Sequence, residues 1–220
     1  MFPLRDSTPS ESFPLITIIL IAVNSLIFYY ESSLGNDGLN QLAYTFGLVP
    51  AYYAHYQGSW LGYMPFITST FLHASWMHLI GNMWVLWLFG DNVEEKMGKW
   101  RFLLFYLLCG LVASITHYTF NLTSQAPVVG ASGAVAGVMG AYFLMFKQAK
   151  VFTFVFPFFF FNLPAWIYLG FWAASQLYGG ATGLLTAGVD SQVAFWAHVG
   201  GFIFGMIMYP LFLLPGRTPA

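Results

Sequence analysis

Four side chains in this sequence have the chemistry to cut an acyl bond. Ser132 stands in the run Gly130, Ala131, Ser132, Gly133, where flanking glycines let a backbone approach and leave the hydroxyl open. A serine becomes a strong nucleophile when an imidazole within about 2.6–3.2 Å takes its proton, and His198 is the candidate base. His78 and Asn82, one helical turn apart, carry N–H groups that could hold a developing oxyanion. If Ser132 opens a helix, its own backbone N–H has no intrahelical partner and can join them. Each residue also has an ordinary role open to it. Ser132 could cap a helix among packing glycines. His198 could simply bond to neighbouring backbone, and His78 and Asn82 could tie helices together.

The elements that must position these residues are membrane helices. The chain has 220 residues, 58% hydrophobic and only 7% charged. A soluble globule with so little charge could not cover its surface, so lipid is the expected solvent. A formal net charge of -1 argues against a nucleic-acid-binding face. The single cysteine, Cys109, lies in an apolar run and is expected to pack as a small hydrophobe. Six apolar segments approach the ~20 residues a crossing needs, at roughly 13–31, 76–93, 101–120, 131–149, 160–179 and 192–214. Arg5 before the first segment and small residues after it would also fit a signal peptide, but the apolar run is longer than a usual signal core. Pro157 and Pro164 interrupt the approach to the fifth, which is expected to be broken or to start late.

With six spans, Arg5, Lys96, Lys99, Arg101, Lys147, Lys150 and Arg217 all fall on one side, which is then cytoplasmic. The opposite loops carry Glu31, Asp37 and Asp190. The organisation expected is an all-α integral membrane bundle: a short cytoplasmic N-terminus (1–12), a six-helix membrane domain (13–214) and a cytoplasmic tail (215–220). The first outer loop, about 32–75, is too apolar for a free linker and is expected to hold short interfacial helices.

This frame brings the reactive side chains to one depth. Ser132 lies about 15 residues above Lys147, roughly 22 Å at 1.5 Å per residue. His198 lies about 16 residues above Leu214, and His78 about 16 above Glu94, roughly 24 Å each. Polar groups at one height on three membrane helices point to a site. Small-residue stripes accompany two of them. Gly133, Gly137 and Ala141 run below Ser132, and Ala197, Gly201 and Gly205 flank His198. Such stripes let two helices approach closely, as a Ser–His bond requires. No Asp or Glu stands in a span near this depth, so a dyad is expected rather than a triad.

Taken together, the run HASWMHLIGN at 73–82, the run GASG at 130–133 and the run AHVGGFIFG at 197–205 resemble the rhomboid family of intramembrane serine proteases. The resemblance extends from about Phe66 to Pro210. It implies a six-helix fold and a Ser132–His198 dyad without metal or cofactor. It also implies an oxyanion site of His78, Asn82 and the Ser132 N–H. The implied partners are the lipid bilayer and membrane-protein substrates, cut near the outer end of a transmembrane segment. A lateral gate on the fifth helix and the loop above it would involve Trp166, Phe171 and Trp172. The implied location is a prokaryotic cytoplasmic membrane, with both termini inside and the site facing outward. Two features depart from some relatives. Residues 32–66 contain no Trp-Arg pair, and Ala136 stands where a tyrosine would support the histidine, so His198 is expected either to be steadied by another aromatic or to be held less firmly.

Other chemistries fit less well. A zinc protease would use two histidines with a glutamate between them on one helix. His73 and His78 lack the glutamate and, on a continuous helix, would diverge by roughly 140°. Aspartyl chemistry lacks paired intramembrane aspartates. A haem or copper membrane protein could use His78, His117 and His198. A transporter would need polar residues through the inner halves of the spans, which are almost entirely apolar. A proteolytically inactive, rhomboid-like binding factor would keep the fold while losing the reactive pair.

Overall fold

Glu94 shows how the inner ends of the helices are tied together. Its carboxylate accepts the Ile16 and Thr17 backbone N–H groups at 2.9 and 2.8 Å and the Thr17 hydroxyl at 2.9 Å. It thus occupies the N-terminus of the first helix, where unpartnered N–H groups favour negative charge. The neighbouring Glu95 accepts the N–H groups of Glu11 and Ser12. Glu94→Ala is expected to strip these partners and lower stability by about 2–3 kcal/mol, since bonds to a charged acceptor are the stronger kind. Thermal unfolding in detergent would record it; an unchanged midpoint would show that water replaces the carboxylate without loss.

The computed structural model describes residues 1–53, 58–185 and 193–216. Strand β1 (Phe2–Asp6) leads to helix α1 (Leu15–Ser33). The outer loop then forms α2 (Gly35–Phe46), short 3-10 turns and the one-turn α3 (Pro65–Thr68), the short helical elements expected there. Helices α4 (Trp76–Met97), α5 (Lys99–Phe120) and α6 (Ser132–Met145) follow, then strands β2 (Lys150–Val155) and β3 (Phe159–Pro164), and helices α7 (Ala165–Leu185) and α8 (Phe195–Phe212). The six long helices correspond one to one with the expected segments, and the fold is the expected α-helical membrane type. By length and apolarity α1, α5 and α8 each suffice to cross a bilayer. Asp190, Arg217 and most of the tail lie outside the described residues.

Two expectations change. The fifth segment starts late, as expected from Pro157 and Pro164, at Ala165 rather than near 160, and residues 150–164 before it form a hairpin. Pro157 and Pro164 bar a helix there, and the phenylalanine-rich run between them pairs well in a pleated strand. The chain is therefore not wholly helical. Strands β1, β2 and β3 make an antiparallel sheet in that order, Phe2 opposite Phe154 and Lys150 opposite Pro164. Its charged residues Arg5, Asp6 and Lys150 lie at the base, where Ser7 accepts the Lys150 N–H and Tyr142 donates to the Asp6 carboxylate. The opposite end reaches along α4, where Phe2 stacks on Trp84 and the indole N–H donates to the Pro3 carbonyl at 2.7 Å.

The second change concerns α6. It has 14 residues and spans ~21 Å, less than a hydrocarbon crossing. It can be short because it is the buried centre of the bundle, touching α4, α5, α7 and α8 and exposing almost nothing. Its glycines set how close its neighbours come. A Cβ on Gly201 of α8 would fall on the Gly133 carbonyl, and one on Gly205 on the Gly137 carbonyl. Gly137 also faces Cys109, which is fully buried and packs as a small apolar group.

Candidate active site

Ser132 is the first residue of the short helix α6. Ala131 precedes the helix without a side-chain cap, and the Ser132 hydroxyl does not cap it either. It bonds instead to His198, whose Nε2 lies 2.8 Å from Ser132 Oγ. The glycine contacts between α6 and α8 allow this distance. The ordinary role of Ser132 as a cap is therefore not the one observed.

The backbone entering α6 is held from two sides. Leu48 and Val128 exchange backbone hydrogen bonds, and the Gly130 N–H donates to the Ser69 carbonyl at 2.9 Å. Gly130 has a φ of +131°, a region that glycine alone enters readily, and a Cβ there would strike the His78 ring. This close approach brings His78 and Asn82 beside the N-terminus of α6.

Asn82 is buried and held by a residue that sequence reasoning had placed elsewhere. Its Nδ2 donates to His73 Nε2 at 3.1 Å, and an amide nitrogen has a second N–H left for another acceptor. Burial, with a smaller contribution from the neighbouring His78, pushes His73 down to about 3, so it is neutral and able to accept. The His73 N–H donates to the buried Glu31 carboxylate at 3.2 Å. The divergence of roughly 140° expected between His73 and His78 does not apply. Helix α4 begins only at Trp76, capped by Ser75, so the two rings sit 5.2 Å apart, edge to face. A helical-wheel estimate cannot see where the helix starts.

Helix α7 completes the surroundings of His198. The Trp172 ring lies 5.8 Å from the imidazole and equally near Phe202, and is half-buried. It is the aromatic support expected in place of a tyrosine at Ala136. Of the three expected gate residues, Trp166 and Phe171 are exposed on the outer surface of α7, whereas Trp172 turns inward to the site. Most of the loop above α7 lies outside the described residues. His198 Nδ1 meets Gln176 Oε1 at 2.7 Å. Gln176 is a residue of the site that the sequence motifs do not mark. The available signal was an amide in an otherwise apolar span.

A cavity of about 820 Å³ opens onto these groups, lined by Ser132, His198, His78, Asn82, His117 and Asn121 among others. All three histidines of the haem reading face it. Among the described residues no three His, Cys, Asp or Glu side chains converge as metal ligands. The arrangement can abstract a hydroxyl proton, attack a carbonyl placed beside Gly130, and offer N–H groups to the resulting oxyanion.

The Rhomboid domain family model matches residues 60–215. The chain is 31% identical over 193 residues to Rhomboid-like protein 11, chloroplastic, of Arabidopsis thaliana, covering 86% of this chain and 62% of that one. It is 30% identical over 145 residues to Rhomboid protein 1, mitochondrial, of Saccharomyces cerevisiae, covering 64% and 39%. It is 28% identical over 151 residues to Presenilin-associated rhomboid-like protein A, mitochondrial, of Danio rerio, covering 65% and 36%. The chain thus spans between about a third and three-fifths of the length of these relatives, which are organellar by name.

Proposed function

Because this chain belongs to the rhomboid family, we propose that it is an intramembrane serine endopeptidase cutting substrate transmembrane segments near their outer ends. The observation that carries the reading is the 2.8 Å contact between Ser132 Oγ and His198 Nε2 at the wall of a cavity. Ser132 Oγ attacks the scissile carbonyl carbon while His198 Nε2 takes its proton. The oxyanion forms beside the Ser132 N–H, Asn82 and His78. As the C–N bond breaks, His198 returns the proton to the leaving amine, and an acyl-Ser132 ester remains. Water then attacks the ester, again giving a proton to His198, and the carboxylic product leaves with Ser132 restored.

The charge pattern supports a site toward the outer side with both termini inside. The relatives named for mitochondria and chloroplasts leave the membrane concerned as a proposal; a prokaryotic cytoplasmic membrane is the one we favour. Labelling by a fluorophosphonate probe tests the reading directly. The wild-type protein is expected to label and Ser132→Ala not to; equal labelling of both, or none of either, would refute it. Asn82→Ala is expected to lower kcat by about 10–10³-fold with little change in KM, since its N–H acts only as charge develops. An unchanged kcat would remove Asn82 from the oxyanion site.

A further inference from the structure

We propose that Gln176 is a positioning residue that holds His198 in the tautomer a general base requires, doing with a neutral amide what a carboxylate does in a triad. The inference rests on the proteolytic reading above but concerns a contact which that reading does not use.

Donor and acceptor chemistry gives the direction of every bond in the chain. The Ser175 hydroxyl donates its one proton to the Trp172 carbonyl at 2.6 Å. Its oxygen is then the acceptor for the Gln176 side-chain nitrogen, which lies 3.0 Å away and can only donate. This places the amide NH₂ toward Ser175 and turns Oε1 toward His198, orienting an amide whose two ends would otherwise look alike. Oε1 can only accept, so at 2.7 Å the proton belongs to His198 Nδ1. In a neutral imidazole Nε2 then carries the lone pair, and it is Nε2 that faces the Ser132 hydroxyl at 2.8 Å. Three consecutive polar contacts on α7 thus set the protonation pattern at the reactive pair. Trp172 adds a steric wall, its ring lying against the same imidazole.

The use of an amide has a chemical consequence. A carboxylate would stabilise the imidazolium that forms during attack, whereas an amide orients the ring and adds no charge. The titratable groups close enough to act on His198 are His78 on α4 and His117 on α5. The segments of α6, α7 and α8 contain no Asp, Glu, Lys or Arg. Gln176→Glu would therefore place the one acidic group beside this imidazole.

Nitrogen NMR of protein carrying ¹⁵N-labelled histidine, with His198 assigned by its loss in His198→Ala, reads the tautomer without needing turnover. The wild type is expected to show a protonated Nδ1 and a bare Nε2, and Gln176→Leu a mixture of tautomers. A protonated Nε2 in the wild type, or an unaltered pattern in Gln176→Leu, would overturn the proposal. Kinetics add a second reading. Gln176→Leu is expected to lower kcat by about 10–10²-fold with KM unchanged. Gln176→Glu should retain activity and move the acid limb of the pH profile upward by about one unit, because a neighbouring negative charge favours the protonated ring. An unshifted profile in an active Gln176→Glu enzyme would mean that residue 176 does not face His198 and would count against the proposal. A wild-type protein that neither cleaves nor labels would defeat the proteolytic reading alone and leave the tautomer result standing.

Discussion

Ser132→Ala and His198→Ala are each expected to reduce cleavage of a reconstituted transmembrane substrate by more than about 10³-fold. Alanine at 132 removes the oxygen that would form the acyl-enzyme. Alanine at 198 removes the base bonded to the hydroxyl, so the attacking species is a neutral alcohol. The two losses should not add, because each residue is useless without the other; the double variant is expected to be no slower than either single one. Ser132→Ala should unfold at nearly the wild-type temperature, since only a half-buried hydrogen bond is lost, whereas His198→Ala also gives up the Gln176 bond and the Trp172 contact and should unfold somewhat lower. Turnover within about tenfold of wild type for a folded Ser132→Ala protein would end the assignment. The remaining reading would be a rhomboid-like binding factor.

The second large effect is expected far from any reactive atom. Gly201→Ala should destabilise the fold by about 1–3 kcal/mol and lower cleavage by about 10²-fold. The added Cβ would fall on the Gly133 carbonyl, a rigid backbone atom in the residue next to Ser132. Helix α8 must then move away from α6, and His198 lies on the same face less than one turn from Gly201. A displacement of about 1 Å would stretch a 2.8 Å hydrogen bond beyond useful length. Gly205→Leu, against the Gly137 carbonyl, is expected to prevent folding altogether. Gly81→Ala provides the contrast, because nothing lies within 4 Å of a Cβ there and alanine is the better helix former. Unfolding midpoints and kcat for Gly201→Ala and Gly81→Ala, measured together, would decide the matter. Equal behaviour of the two would mean that α6 and α8 can separate freely, contrary to their close glycine packing.

Much of this was legible in the amino-acid order for definite reasons. Apolar length marks a membrane helix wherever it occurs, so the six segments emerged from composition alone. Height within a membrane follows from counting residues from a charged boundary, so Ser132, His198 and His78 could be matched in depth before any contact was known. Small residues spaced four apart state that a neighbour comes close, though not which neighbour. What these signals share is that each depends on a residue and its near sequence neighbours.

Other features depend on how helices rotate against one another and on partners far along the chain. His73 looked like a helical residue pointing away from His78 because the start of α4 depends on the Ser75 cap and the loop before it. The sheet joins residues 2–6 to residues 150–164, and no local pattern encodes that pairing. Gln176 could be assigned to a span and a depth, but whether it faced lipid or His198 depended on the rotation of α7 against α8. That rotation reflects the summed packing of Trp172, Phe202 and many smaller contacts, none of them readable from α7 alone. The order of residues therefore determined which groups could do the chemistry and at what height along their helices. Tertiary packing decided which atoms meet, because a hydrogen bond is settled by a few tenths of an ångström and helix positions are set by the whole bundle.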